Sequence, residues 1–543
     1  MPVSSTSIGR ASAFLASGTI VSRVMGFVRA IILAQTIGAV GSASADAFAV
    51  ANQLPNNIYA IIAGGTLSAV LVPQIVRATL HSDGGKGYIN KLLTIAMVIL
   101  GGSTLVATLL APILVTISAP SWSGEQRALG IAFAYWCLPQ IFFYGLYTVL
   151  GEVLNAKNVF GPFTWAPVVN NVVSIIGLVL FMVFFGVDPN GERLVSDWTP
   201  DKIALLGGFT TLAVAAQALI LFLFWKRAGI RYRPDFAWRG VGLGAAGKLA
   251  GWTFGMLLVT QAAGLIETMV ASIASGEGSD SASVAAIQYA WLIFMLPHSL
   301  VTVSIVTAYF TKMSGHANRG ETAELRTDVS AAIRVTSLFM VLGMIVLIVV
   351  AYPFASLFND SVAKSAAMGN VLIAFLVGLI PFSVLFVLQR VFYSLSNTKT
   401  PFFLQVLQAS IFSALAAACA LLPKDLIAIG LALALSFATA IQTLVAAVII
   451  RRRLGGVGGR TVVLSFVRYA VAAVPSAILG LLTLIGLGAL FGPEFSVTGF
   501  VGPLVTMAVV GVVMLAVYLG ALFLVRSPEL RDALGPIRGI LRR

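Results

Sequence analysis

Long apolar runs separated by short polar turns dominate the chain, and each run can cross a hydrocarbon core, which takes about 20 residues of helix. About fourteen such runs follow one another. They centre on residues 11–37, 46–78, 92–118, 127–155, 162–187, 202–225, 249–274, 283–311, 330–357, 365–394, 401–422, 426–450, 463–490 and 498–525. The turns between them are short, Asp188-Pro189-Asn190-Gly191 for example, and none is long enough for a soluble domain. The pattern therefore predicts an all-α polytopic membrane protein of about 14 transmembrane helices.

Composition agrees with the pattern. Of 543 residues 59% are hydrophobic and 10% charged, with mean hydropathy +0.98, whereas a soluble domain carries roughly 25% charged residues. The net charge of +14 reads as topology, because the basic residues lie between the apolar runs and form no single exposed stripe for nucleic acid. With the N-terminus in the cytoplasm, the outer segments hold Arg127, Arg193, Lys202, Lys364 and Lys424, and every other Lys or Arg except Arg23 and Arg29, Arg390 included, is assigned to an inner segment. That bias supports an even number of spans with both termini in the cytoplasm. The first apolar run leads into further spans with no small-residue cleavage site, so it is expected to remain as the first helix. Cys137 and Cys419 lie in apolar stretches and imply neither a disulfide nor a metal site.

A faint internal repeat organises the spans. Leu154-Asn155-Ala156-Lys157 followed by Pro162-Phe163 is similar to Leu395-Ser396-Asn397-Thr398-Lys399 followed by Pro401-Phe402, six spans later. A six-span parallel repeat builds two lobes around a central pathway. The expected division is 1–228 for the N-terminal lobe, 229–455 for the C-terminal lobe, and 456–543 for two added helices with a basic tail.

Charges inside the spans are few, and each costs about 2.5 to 3.5 kcal/mol at a helix centre. Arg23 lies thirteen residues beyond Arg10, roughly 20 Å along a helix, and Arg29 lies deeper still. On a straight helix the two point about 120° apart; Gly26 between them is a place where a bend would converge them. A guanidinium suits phosphate because its planar fork donates in pairs and stays charged when desolvated. Asp46 either caps the second span or pairs with an arginine of the first. Glu152 reads as interfacial, beside Lys157 or water. Glu267, well inside the seventh span, either binds a cation for energy coupling or pairs with an arginine.

Other patterns are weaker. Gly242-Leu243-Gly244-Ala245-Ala246-Gly247 has dinucleotide-binding spacing but follows a basic loop, not a strand. Gly251 and Gly255 read as helix packing. Pro297-His298 reads as a kink or a packed histidine, and Arg451-Arg452-Arg453 as a contact to anionic lipid. No nucleophile with its base, metal cluster or phosphate loop is present in the sequence, so it points to no enzyme and no cofactor.

The stretch Ser22-Arg23-Val24-Met25-Gly26-Phe27-Val28-Arg29, followed by Asp46-Ala47-Phe48, Leu54-Pro55-Asn56 and Val72-Pro73, resembles the opening of the MurJ (MviN) family of lipid II flippases. Ala166-Pro167 with Asn171, and Phe392-Tyr393-Ser394 with Thr398-Lys399-Thr400-Pro401, extend the resemblance across nearly the whole chain. The resemblance implies the fold of the multidrug/oligosaccharidyl-lipid/polysaccharide exporter superfamily: two six-helix lobes around a central cavity plus two C-terminal helices. It implies a transporter in the cytoplasmic membrane that carries the undecaprenyl-pyrophosphate-linked disaccharide pentapeptide of peptidoglycan synthesis, meeting membrane lipids and cell-wall synthesis proteins. Arg23 and Arg29 would then bind the pyrophosphate, with Ser22, Asp46 and Asn56 nearby.

The sequence also departs from the family pattern. Tyr59 stands where members commonly carry an arginine, Gln53 where they often carry a lysine, and the eighth span (Tyr289 to Pro297) lacks its usual arginine. Some members bind sodium through the seventh and eleventh spans; Glu267 supplies the first, but Gln405, Gln408, Ser410 and Ser413 of the eleventh include no carboxylate. The type resembled is actinobacterial, whose members often continue into a kinase-like domain. Rival functions are a flippase for another lipid-linked oligosaccharide, a cation-coupled multidrug exporter of the same superfamily, and a non-transporting scaffold for envelope assembly.

Overall fold

The computed structural model describes residues 5–63, 86–157, 159–227, 232–237 and 243–530. Most of the second half of the expected 46–78 span, with its Val72-Pro73 pair, lies outside them, as does Gly242 of the glycine pattern. Every regular element among the described residues is helical. The first compact unit, Met1–Gly278, contains α1 (Ser5–Ile37), α2 (Ala43–Ile62), α3 (Lys86–Leu109), α4 (Ala111–Ser118), α5 (Gly124–Cys137), α6 (Gln140–Ala156), α7 (Gly161–Phe185), α8 (Pro200–Leu219), α9 (Leu221–Arg227) and α10 (Leu243–Ala271). The second, Ser279–Arg543, contains α11 (Val284–Pro297), α12 (Val303–Asn318), α13 (Thr322–Val349), α14 (Ala351–Ala355), α15 (Val362–Leu376), α16 (Leu379–Ser394), α17 (Lys399–Cys419), α18 (Lys424–Leu454), α19 (Gly459–Phe491) and α20 (Val501–Leu524).

Among the described residues 12 spans are long and apolar enough to cross a membrane, and the bent pair α15–α16 brings the number to 13. The described part of the expected second span, α2, is not among them. Asn52, Gln53, Asn56 and Asn57 on this helix explain its lower hydropathy. Local sequence sets several helix starts. The side chains of Ser42, Ser123 and Ser361 accept from Ala45, Gln126 and Lys364 amides at α2, α5 and α15, satisfying donors a helix start leaves over. Pro162 and Pro200 occupy first turns, where a missing N–H costs nothing. α18 ends in Arg451, Arg452 and Arg453 against the negative end of its dipole and stops at a left-handed Gly455.

In the first unit α7 packs along α1 and α8, α2 against α5 and α6, and α10 against α2 and α4. A core of Leu92, Leu100, Val149, Leu150, Val153, Ala218, Leu221 and Trp225 joins α3, α6, α8 and α9. The loop after α7 closes one end. Asp188 accepts from the amides of Glu192 at 2.7 Å and Arg193 at 3.0 Å, Arg193 lies over the Phe181 and Trp198 rings, and Trp198 Nε1 donates to Ser44 Oγ at 2.6 Å. Gly38, with φ +83°, passes so near Gly191 that a Cβ there would stand 2.7 Å from the Gly191 Cα, so no larger residue fits.

In the second unit α13 contacts α12, α16, α19 and α20, and α18 contacts α15, α16 and α17. Arg334 of α13 pairs with Glu529, just beyond α20, at 2.7 Å. Glu529 also accepts from Ser465 of α19 at 2.9 Å and from Ser527 at 2.8 Å. The bend of 41° between α15 and α16 frees carbonyls, and Ser436 of α18 donates to two of them, Ala374 O at 3.0 Å and Phe375 O at 3.3 Å. After Pro297 the chain makes one π-helical turn, His298–Thr302. His298, 3% exposed, lies 3.0 Å from Ser383 Oγ and packs against Phe382 and Phe386. The histidine is thus packed, and a local widening of the helix accompanies it.

Candidate functional site

α1 is helical without a break from Ser5 to Ile37, so Gly26 is not a break that turns Arg23 and Arg29 toward one point. Gly26 instead faces Asn171, in ordinary contact, and Asn171 Nδ2 donates to the Ser22 carbonyl at 2.9 Å. Ser22 therefore meets α7 through its backbone. Arg29 Nη1 donates to Asn170 Oδ1 at 3.2 Å. Asn170 in turn donates to Gln217 Oε1 of α8 at 2.7 Å, and Ser174 reaches Asn170 Oδ1 at 3.4 Å. Arg23 is treated differently. Its Nη1 is buried and has no hydrogen-bond partner among the described residues, an expensive condition for a charged donor.

A second polar chain runs through α2 and α6. Tyr144 donates to Gln140, Gln140 donates to Asn52, and Tyr59 shares a hydrogen bond with Thr148. The Tyr59 and Tyr144 rings lie 5.7 Å apart. The position where an arginine was expected thus carries a phenol tied to α6. The sequence reading passed over Asn52, Gln140, Tyr144, Asn170 and Gln217; their signal was the recurrence of amide side chains within apolar runs, where each needs a partner.

Asp46 is fully buried. Ser42 caps α2, while the Asp46 carboxylate sits in the first turn and accepts from Ser275 Oγ. Gln126 of α5 donates to Ser275 Oγ at 2.8 Å and to the Ala43 carbonyl at 3.1 Å. This cluster joins the start of α2 to the segment after α10. Asn56 is exposed. Glu267 is half-buried on α10; among the described residues no arginine stands within 4.0 Å of it, and no group of acidic, histidine or cysteine side chains forms a metal site. A Cβ on Gly251 would meet nothing within 4 Å among the described residues.

Cavities among the described residues of this unit include two with polar linings. One, about 50 Å³, is lined by Arg29, Phe48, Asn52 and Ser174, which is room for water and not for a pyrophosphate. The other, about 300 Å³, lies between α2, α4 and α10 and is lined by Gln53, Asn57, Gln261 and Thr268 among apolar side chains. Amides and a hydroxyl in an apolar wall suit a neutral polar group.

The family model described as "Lipid II flippase MurJ" matches residues 33–525. A "Probable lipid II flippase MurJ" of Haemophilus influenzae is 27% identical over 413 residues, covering 70% of this chain and 75% of that protein. One of Borreliella burgdorferi is 25% identical over 396 residues, covering 72% and 73%. A solved structure of a lipid II flippase MurJ in an inward closed conformation matches with TM-score 0.69 at 19% identity, over 94% of this chain and 99% of the other. An inward-facing multidrug-resistance MATE transporter of the MOP superfamily matches with TM-score 0.59 at 16% identity, over 80% and 94%. These likenesses carry the fold, while the family model carries kinship. Over most of its length, the chain belongs to the lipid II flippase MurJ family: multi-pass inner-membrane proteins that are transporters and not enzymes.

Proposed function

We propose that the chain moves lipid II from the inner to the outer leaflet by alternating access, with Arg23 and Arg29 contacting the pyrophosphate. The observation that supports this most is the buried Arg23 nitrogen without a partner. A guanidinium in an apolar span with a donor left without a protein acceptor suits an anion brought to it. Arg29, oriented by Asn170, supplies a second donor on the same helix. The family match begins at residue 33, so the role of both arginines rests on this geometry and on the sequence resemblance. Ser22, Asp46 and Asn56 belong to the proposal as neighbours of the headgroup path.

The proposed architecture is fourteen helices, two lobes of six with two C-terminal helices that hold the lipid tail, and both termini in the cytoplasm. The apolar run 46–78 of the sequence supplies the remaining span of this proposal. The lobe limits 1–228, 229–455 and 456–543 follow the sequence repeat, and the actinobacterial placement rests on sequence resemblance alone. An inside-negative potential favours outward movement of an anion by about 2.3 kcal/mol per charge per 100 mV. Glu267 is the proposed cation site for resetting the empty carrier, and a carboxylate without an arginine partner suits that role.

The superfamily also contains multidrug transporters, but cationic drugs call for buried carboxylates and not arginines. The test is flipping of labelled lipid II in vesicles reconstituted with the full chain. Arg23→Ala and Arg29→Ala are expected to slow it at least tenfold while inserting normally, and wild-type rates in both would end the pyrophosphate proposal. Equal rates with a different lipid-linked oligosaccharide would end the claim to lipid II.

A further inference from the structure

Arg390 is surrounded by aromatic rings. It lies on α16 one turn before the helix ends, and its Cζ stands 4.8 Å from the Phe386 ring centroid, 5.4 Å from Phe310 of α12 and 5.9 Å from Tyr393. Among the described residues no carboxylate stands within 4.0 Å of it. None of its nitrogens is a buried donor without a partner, and the residue is half-buried. The donors are therefore reachable.

A ring face attracts a cation and fixes the plane of a guanidinium, but it does not neutralise the charge and accepts few of its N–H bonds. Fixing the plane in advance removes much of the entropy lost when the fork engages a tetrahedral oxyanion. The neighbouring rings exclude water, which strengthens each charge-assisted bond. Placement near the end of a span sets the site at the depth where phosphate groups of lipids lie.

We propose that Arg390, with Phe310, Phe386 and Tyr393, binds a lipid phosphate within the second unit, a site separate from the α1 arginines. The phosphate belongs either to an anionic phospholipid of the membrane or to the pyrophosphate of a polyprenyl carrier. Neither source depends on the flipping proposal, since binding is measured without transport.

The wild-type full chain in neutral detergent is treated with phenylglyoxal, and modification of Arg390 is followed by peptide mass spectrometry. Phosphatidylglycerol and farnesyl pyrophosphate are added in separate arms. Slowing of Arg390 modification by threefold or more in either arm, with Arg319 unchanged, supports the site; the arm that protects identifies the source. Unchanged modification in both arms overturns it, as does equal slowing at Arg319, which would mean general screening. Arg390→Lys keeps the charge and loses the fork, and is expected to weaken binding of the protecting probe severalfold in a thermal-shift titration. Wild-type affinity in that variant would also overturn the site.

Discussion

Arg29 and Asn170 meet at 3.2 Å across the α1–α7 contact, and the same asparagine donates to Gln217 at 2.7 Å. A neutral amide thus orients the guanidinium and leaves its charge in place. Asn170→Asp would put a carboxylate against Arg29 and neutralise it. Flipping of lipid II is expected to fall at least tenfold in this variant while its melting temperature is held or raised. Asn170→Ala, which loses orientation and keeps the charge, is expected to cost less activity. Wild-type flipping by Asn170→Asp would show that the Arg29 charge is not used.

The Asp46 carboxylate, a neighbour of the proposed headgroup path, is held by Ser275. Asp46→Ala leaves the Ser275 hydroxyl short of an acceptor, which costs about 1–3 kcal/mol. Thermal unfolding in detergent is expected to shift downward, and Ser275→Ala to shift it by less. If Asp46→Ala keeps its melting point but stops flipping, the residue belongs to the headgroup path.

Gly38 admits no side chain, because its φ of +83° and its approach to Gly191 both exclude one. Gly38→Ala is expected to destabilise the end closed by the Asp188 loop by about 1–3 kcal/mol, read as faster hydrogen exchange at the Asp188, Glu192 and Arg193 amides. Unchanged exchange there would remove the steric argument.

Glu529 predicts a pH response. Burial pushes its carboxyl up, but hydrogen bonds from its own backbone amide, Ser527, Ser465 and Arg334 outweigh burial and hold it below the usual carboxylate range. A depressed group contributes stability above its unfolded value and loses it as pH falls through the folded value. Melting temperature should therefore drop in acid below the usual carboxylate range in the wild type and less so in Glu529→Gln. At neutral pH Glu529→Gln should be less stable by about 3 kcal/mol, the cost of breaking a buried pair. Parallel acid profiles would assign the response to other groups.

The helical class was legible because apolar runs of span length need no knowledge of partners; α7, α13 and α20 all read directly from the sequence. α2 was harder. Its four amides lower its hydropathy, and the groups that meet the helix lie far away in sequence: Gln140 of α6 donates to the Asn52 side chain and Gln261 of α10 to the Asn57 backbone carbonyl. Arg23 and Arg29 stood out as charges in an apolar run, yet the different conditions of the two, one oriented by Asn170 and one with an unpartnered nitrogen, follow from packing against α7. Asp46 read as an N-terminal carboxylate without its Ser275 partner, since 229 positions separate them. Arg390 read as a topology signal because aromatic rings carry no mark of which cation they enclose.

The bend between α15 and α16 has a mechanical side. A broken helix is compliant when the carbonyls it frees can trade partners with water, because each new angle then finds a new set of bonds at little cost. Here the acceptors are held by Ser436, and Thr443 of the same helix donates to Pro381 O at 2.9 Å. A Cβ on Gly378 would stand 2.6 Å from the Ser436 hydroxyl, so α18 lies directly against the break. The two half-spans are clamped to a third helix on both sides of the discontinuity. Any rocking motion of this unit must carry α15, α16 and α18 together as one stiff lever.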